Sequence, residues 1–146
     1  MLVSAVFAIL VFFVFVLWSP PLFYNTVAEW TNSWQKNLFS FVCHQQLDRT
    51  LFLEGRPLAA CSRCTGIYTG MLLGFTGWVL WNVFVKCRPI KGARIFFVIS
   101  LVLLLDGFAN FLDIWQSSNN TRVLIGLFWG LATGVLLANT LRATDK

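Results

Sequence analysis

Three of the four cysteines and the only histidine of this 146-residue chain fall in one stretch, FVCHQQLDRTLFLEGRPLAACSRCTGIYTG, residues 41–70. Cys61 and Cys64 form a CxxC pair, with Cys43-His44 before it. Thiolates and imidazole in such a pattern bind zinc tetrahedrally, because a turn lets both CxxC sulfurs point at one ion. Cys43, His44, Cys61 and Cys64 would supply four ligands for zinc or another divalent metal. Side chains of adjacent residues diverge in most backbone geometries. One of Cys43 and His44 would then ligate while the other supports it, or an Asp or a water would complete the shell. Thiol–disulfide exchange suits the same set. A CxxC at a helix start has a lowered thiol pKa, Arg63 between the cysteines adds to that, and Cys43 could be the partner thiol. The plainest alternative is a structural bridge or incidental thiols. Cys87 lies apart and reads as a bystander.

A second group of residues is acidic and sits in apolar surroundings. In IFFVISLVLLLDGFANFLDIW, Asp106, Asn110 and Asp113 stand at i, i+4 and i+7, on one helical face. An ionised carboxylate at a bilayer centre costs roughly 2.5–3.5 kcal/mol. Such residues usually face a bundle interior and serve a function. Asp106 and Asp113 are therefore candidates for metal ligand, proton carrier or general base. A polar lock between helices is the structural alternative. Arg122 is a partner for Asp113, and Arg49 and Arg122 could receive an anionic headgroup or small-molecule substrate. Zinc with a carboxylate and an open position would allow hydrolysis by activated water. A closed thiolate-rich shell would instead be structural.

These residues must be positioned by membrane helices. The chain is 58% hydrophobic and 12% charged, against roughly 45–50% apolar residues in ordinary soluble domains. It reads as one all-α polytopic domain, residues 1–146, with the lipid bilayer as its first partner. Four spans are expected, at about 2–18, 65–85, 95–115 and 123–141. The first could be a signal peptide, but no Lys or Arg precedes it and Trp-Ser-Pro-Pro follows it. Phe23, Val27, Trp30, Trp34, Leu38 and Phe41 make one helical stripe, so an interfacial amphipathic helix is expected over about 21–41. Thr26-x-x-Glu29 could be its capping box. The Cys/His loop then covers 42–64. Gly66, Gly70 and Gly74 face a matching ladder of Gly126, Gly130 and Gly134, which would let two spans approach closely. The net charge of +5 is a topology signal rather than a nucleic-acid one. Lys86, Arg88, Lys91, Arg94, Arg142 and Lys146 lie densely on one side of the four spans. That places both termini in the cytoplasm and the Cys/His loop outside.

The motifs CHQ (residues 43–45), a following Arg-Thr, CSRCTGIYTG (residues 61–70), a DG in a later span, and an Arg with glycines in the last resemble a family of short predicted membrane proteins. That family is known as a bacterial and archaeal domain of unknown function. The similarity runs from about Cys43 to Gly134, with Asn110 where the family commonly has Gln. It implies a shared site in a bacterial or archaeal cell membrane and names no reaction. A second likeness is to the disulfide-generating quinone reductases, which also have four helices and an outward CxxC at the head of the second. It implies a membrane thiol oxidoreductase using Cys61, Cys64 and a quinone. The present chain has QSSNN where those proteins carry a second cysteine pair. A small transporter or accessory subunit, coupled through Asp106 and assembled as a homo-oligomer, is the third class.

Overall fold

The structure is a computed structural model and describes residues 2–85, 93–112 and 117–144. It is mostly helical. Helix α1 covers Leu2–Trp18 and is followed by three short helices, α2 (Pro20–Phe23), α3 (Val27–Thr31) and α4 (Trp34–Phe39). A 3-10 turn at Leu47–Arg49 leads into strands β1 (Thr50–Leu53) and β2 (Arg56–Cys61). Three long helices complete the chain: α5 (Ser62–Val85), α6 (Ala93–Phe111) and α7 (Asn119–Thr144).

Two of these helices are long and apolar enough to cross a membrane, Ser62–Phe84 and Asn119–Arg142, and the apolar helices Leu2–Trp18 and Phe96–Ala109 are shorter. Large apolar side chains stand on their outer surfaces, among them Phe84 at 82% exposure and Phe97 at 70%. A soluble monomer rarely shows so much contiguous apolar surface. A bilayer covers such a surface at no cost.

The two long helices are locked by their glycines. A Cβ on Gly66, Gly70 or Gly74 would stand 2.2–2.4 Å from the carbonyl oxygens of Val123, Leu127 and Leu131. A Cβ on Gly126, Gly130 or Gly134 would meet the carbonyls of Arg63, Ile67 and Met71 at 2.2–2.3 Å. The numbers rise together along both helices, so α5 and α7 run parallel. Their close approach is the one the two ladders lead one to expect. Helix α6 lies against α7, where Trp129 Nε1 donates to Ser100 Oγ at 2.9 Å. Helix α1 meets α5 through Phe13, stacked on Tyr68 at 5.9 Å between ring centroids.

Three features differ from the sequence expectation. The 21–41 segment is not one helix. Thr26 accepts from the Glu29 N–H at 3.2 Å, and Ser33 accepts from the Lys36 N–H at 3.2 Å. Each cap starts a new helix and so ends the preceding one. The expected capping box is there in part, with Glu29 reaching back to the Asn25 N–H at 3.0 Å. Trp30 is buried and donates to the Leu58 carbonyl at 3.0 Å, while Trp34, Leu38 and Phe41 stay exposed.

The second difference is a two-stranded antiparallel sheet within the 42–64 loop, so the chain is not wholly helical. Leu53 pairs with Arg56 across Glu54-Gly55, whose φ values are +52° and +78°. Positive φ at both loop residues matches the right-handed twist of a tight hairpin. Leu58, Ala59 and Ala60 of β2 are buried with Val16, Leu17, Phe39 and Cys43. The third difference is at helix starts. α5 begins at Ser62, directly after β2, and α7 begins at Asn119, so Cys64 and Arg122 both lie in first turns.

Candidate metal centre

The CxxC pair straddles a strand–helix junction. Cys61 ends β2 and Cys64 lies in the first turn of α5. Ser62 Oγ donates to the Arg49 carbonyl at 2.8 Å, and Thr65 Oγ1 donates to the Cys61 carbonyl at 3.1 Å, which fixes the junction. Cys43 follows α4 and is tied to it by its own N–H, donated to the Phe39 carbonyl at 2.9 Å. Two residues on is Gln45, buried and with φ +50°. Its side-chain amide donates to the carbonyls of Lys36 and Ala59. This one side chain clamps α4 to β2 and so sets Cys43 beside Cys61.

The result is a cluster in which the sulfurs of Cys43, Cys61 and Cys64 all lie within 4.8 Å of one another. Thiolates around a tetrahedral zinc, each about 2.3 Å from the ion, are roughly 3.8 Å apart. The three sulfurs thus fit such an ion with small movements. All three cysteines are free thiols. The Cys61 N–H donates to Cys43 Sγ at 3.2 Å, a contact that stabilises a thiolate. Hydrogen bonds from the Cys43 and Cys64 thiols hold Cys61 well below the ordinary thiol range, and sharing with Cys61 pushes the Cys43 thiol up. Cys61 is therefore the first thiolate of the set.

The remaining candidates divide. His44 is exposed and gives no ring nitrogen to the sulfur set, although it lines the same cavity. Asp106 does not join the set either. Its two oxygens accept from Arg63 and, at 2.6 Å, from Ser117 Oγ. The side chains of Arg63 and Asp106 are 25% and 10% exposed, so this is a partly buried ion pair. Asp113, the Asn110 side chain and Cys87 lie outside the described residues.

Arg49 and Arg122 both reach the cavity. Arg49 Nε stands 3.5 Å from Asp48, whose side chain is largely exposed. Arg122 is 9% exposed and donates to Asn119 Oδ1 at 3.4 Å. Asn119 also donates to the Asp48 carbonyl at 3.2 Å, joining the loop to the start of α7. The cavity measures about 560 Å³ and is walled by the three cysteines and by Arg49, Arg63 and Arg122. No carboxylate is among its described lining residues.

Sequence reasoning did not find Arg63 as the partner of Asp106, nor Ser117, nor the clamp at Gln45. For Arg63 a signal existed, since a charged residue entering a membrane helix beside a CxxC needs a counter-charge in the bundle.

Residues 43–136 match the family described as Predicted membrane protein (DUF2085), and the chain belongs to that family. The matched region begins at Cys43 and takes in every cysteine of the cluster. An uncharacterised protein of Methanocaldococcus jannaschii is 27% identical over 129 residues, covering 83% of this chain and 80% of its own length. An uncharacterised protein of Methanothermobacter thermautotrophicus is 30% identical over 102 residues, covering 67% of this chain and 86% of its own. Both relatives are archaeal. No solved structure matches the chain.

Proposed function

We propose that the protein is a four-span membrane protein that holds zinc, or a similarly thiophilic divalent ion, through Cys43, Cys61 and Cys64 on the outer side of the bilayer. The observation that carries this reading is the convergence of three sulfurs from two separate chain segments within 4.8 Å. Sulfur ligands favour soft and borderline ions, and three protein ligands leave one position for a further group. A metal so held supplies Lewis acidity toward a ligand in the cavity. The protein's own residues do the rest. Gln45 and the hairpin position Cys43, and Asp106 with Ser117 holds Arg63 as its counter-ion partner. Asp106 acts here as a positioning residue, because its oxygens engage Arg63 and Ser117 and not the thiol cluster.

Elemental analysis of purified protein tests the proposal. Near-stoichiometric metal is expected, lost on Cys61→Ser or Cys64→Ser and kept on His44→Ala. Metal-free wild-type protein after purification under reducing, chelator-free conditions would refute it.

The three free thiols within 4.8 Å of one another also suit a second reading, a membrane thiol oxidoreductase with a quinone as acceptor. Thiol trapping separates the two. A reversible Cys61–Cys64 bond whose formation reduces a quinone would establish the redox reading.

A further inference from the structure

The geometry points to a phosphate-type oxyanion, a phosphate or phosphate monoester, as the ligand of the cavity, held by Arg49, Arg63 and Arg122, which line it together with the three cysteines. The inference rests on the metal reading above and adds the chemistry of the molecule that the centre receives.

The three guanidinium groups come from three places in the chain: the 3-10 turn, the first turn of α5 and the first turn of α7. Bringing them together at the end of an apolar bundle costs both desolvation and mutual repulsion, which only opposite charge offsets. Asp106 supplies one negative charge, through Arg63. Asp48 stands beside Arg49, but its side chain is 73% exposed and water screens it. Three thiolates with a divalent metal carry one net negative charge. Among the described residues no carboxylate lines the cavity, so an anion entering it meets arginines and no acidic side chain.

The donors suit an oxyanion in particular. A planar guanidinium pairs its N–H groups with carboxylate or phosphate oxygens alike, but three of them around one ligand are better matched by the oxygens of a phosphate than by the two of a carboxylate or by a spherical anion. Arg63 Nε is a buried donor that meets no acceptor among the described residues. Such orphaned donors are rare in native proteins and often mark the place of a water or an ion.

Size and lining say what carries the anion. About 560 Å³ lies within the range of small-molecule sites and exceeds the needs of a bare phosphate. Val42 lines the cavity while 63% exposed, and the adjoining Phe41 is 93% exposed. The mouth therefore has an apolar lip beside a cationic wall. A phosphate carried on an apolar group meets both, and lipid headgroups and free phosphate share the chemistry of the wall.

Full-length protein in neutral-lipid nanodiscs, loaded with cobalt in place of zinc, provides the test. Inorganic phosphate and short-chain phosphatidic acid are titrated separately, followed by calorimetry and by the visible bands of the cobalt thiolate centre. Saturable binding of at least one ligand is expected. Arg49→Gln and Arg122→Gln should each weaken it by about tenfold or more, with cobalt stoichiometry unchanged. Tighter binding of phosphatidic acid identifies a lipid headgroup, and equal or better binding of phosphate identifies the free anion; both uphold the oxyanion site. Protein that takes up cobalt yet binds neither ligand, or binds them equally well in both variants, overturns it. Protein that takes up no cobalt defeats the metal reading instead, and calorimetry with phosphate on that same sample then decides the oxyanion site separately.

Discussion

Replacing Gly126 by alanine perturbs the packing of the two long helices close to the centre. A Cβ at Gly126 would stand 2.3 Å from the Arg63 carbonyl oxygen and 3.1 Å from the Ile67 nitrogen. Both atoms are backbone and cannot rotate away. Ordinary contact begins near 3.4 Å, so α5 and α7 must separate locally by roughly 1 Å, in an interior that packs like a crystal. Overpacking of this kind costs about 1–3 kcal/mol. Gly77 is an internal control on α5, because a Cβ there meets nothing within 4 Å. Alanine at 77 should leave stability unchanged or raise it by about 0.5–1 kcal/mol, from helix propensity alone. Thermal unfolding in one detergent, with metal content measured on the same samples, reads both effects. Gly126→Ala should melt at lower temperature and hold its metal less tightly than Gly77→Ala, because the carbonyl it displaces belongs to Arg63, between Cys61 and Cys64. Unchanged melting of Gly126→Ala, or an equal loss in Gly77→Ala, would refute the account of the ladder.

Two further outcomes follow from the site. Asp106→Asn leaves Arg63 without its counter-ion, and breaking a buried pair costs roughly 3–5 kcal/mol; a quarter of the Arg63 side chain is exposed, so a loss near the lower end is expected in denaturant or thermal unfolding. Ser117→Ala should cost less than Asp106→Asn, and the reverse order would refute the assignment of Arg63 as the main partner. In reduced, metal-free protein, iodoacetamide at neutral pH should label Cys61 first, because its depressed pKa leaves it a thiolate where an ordinary thiol is still protonated. Cys43, shifted the other way, should react only as the pH rises past the ordinary thiol range, and peptide mapping that finds equal early labelling at both would contradict that order.

The thiol set and the glycine ladders were legible because each is a matter of spacing. A CxxC places two sulfurs together whatever follows, and glycine every fourth residue marks a helix face without regard to its partner. The stripe from Phe23 to Phe41 was misleading in its continuity. Its spacings fit a single helix, but Thr26 and Ser33 are strong N-caps, and each interrupts the helix it would have to sit within. The hairpin was hidden because Glu54-Gly55 is a weaker turn signal than Asn-Gly, and because the bulge between Thr50 and Phe52 breaks simple alternation. His44 follows Cys43 directly, and because neighbouring side chains leave most backbones in different directions, the sequence left open which of the two would ligate. The Asp106–Arg63 pair joins residues far apart in sequence, and only the helix packing brings them together.

All three sulfurs lie between residues 43 and 64, whereas the third arginine of the cavity is Arg122. During synthesis Cys64, in the first turn of α5, is made well before Arg122 in the first turn of α7, so all three sulfurs exist before the cationic wall can be complete. On the proposed reading, the place for an ion would be assembled before the place for an anion.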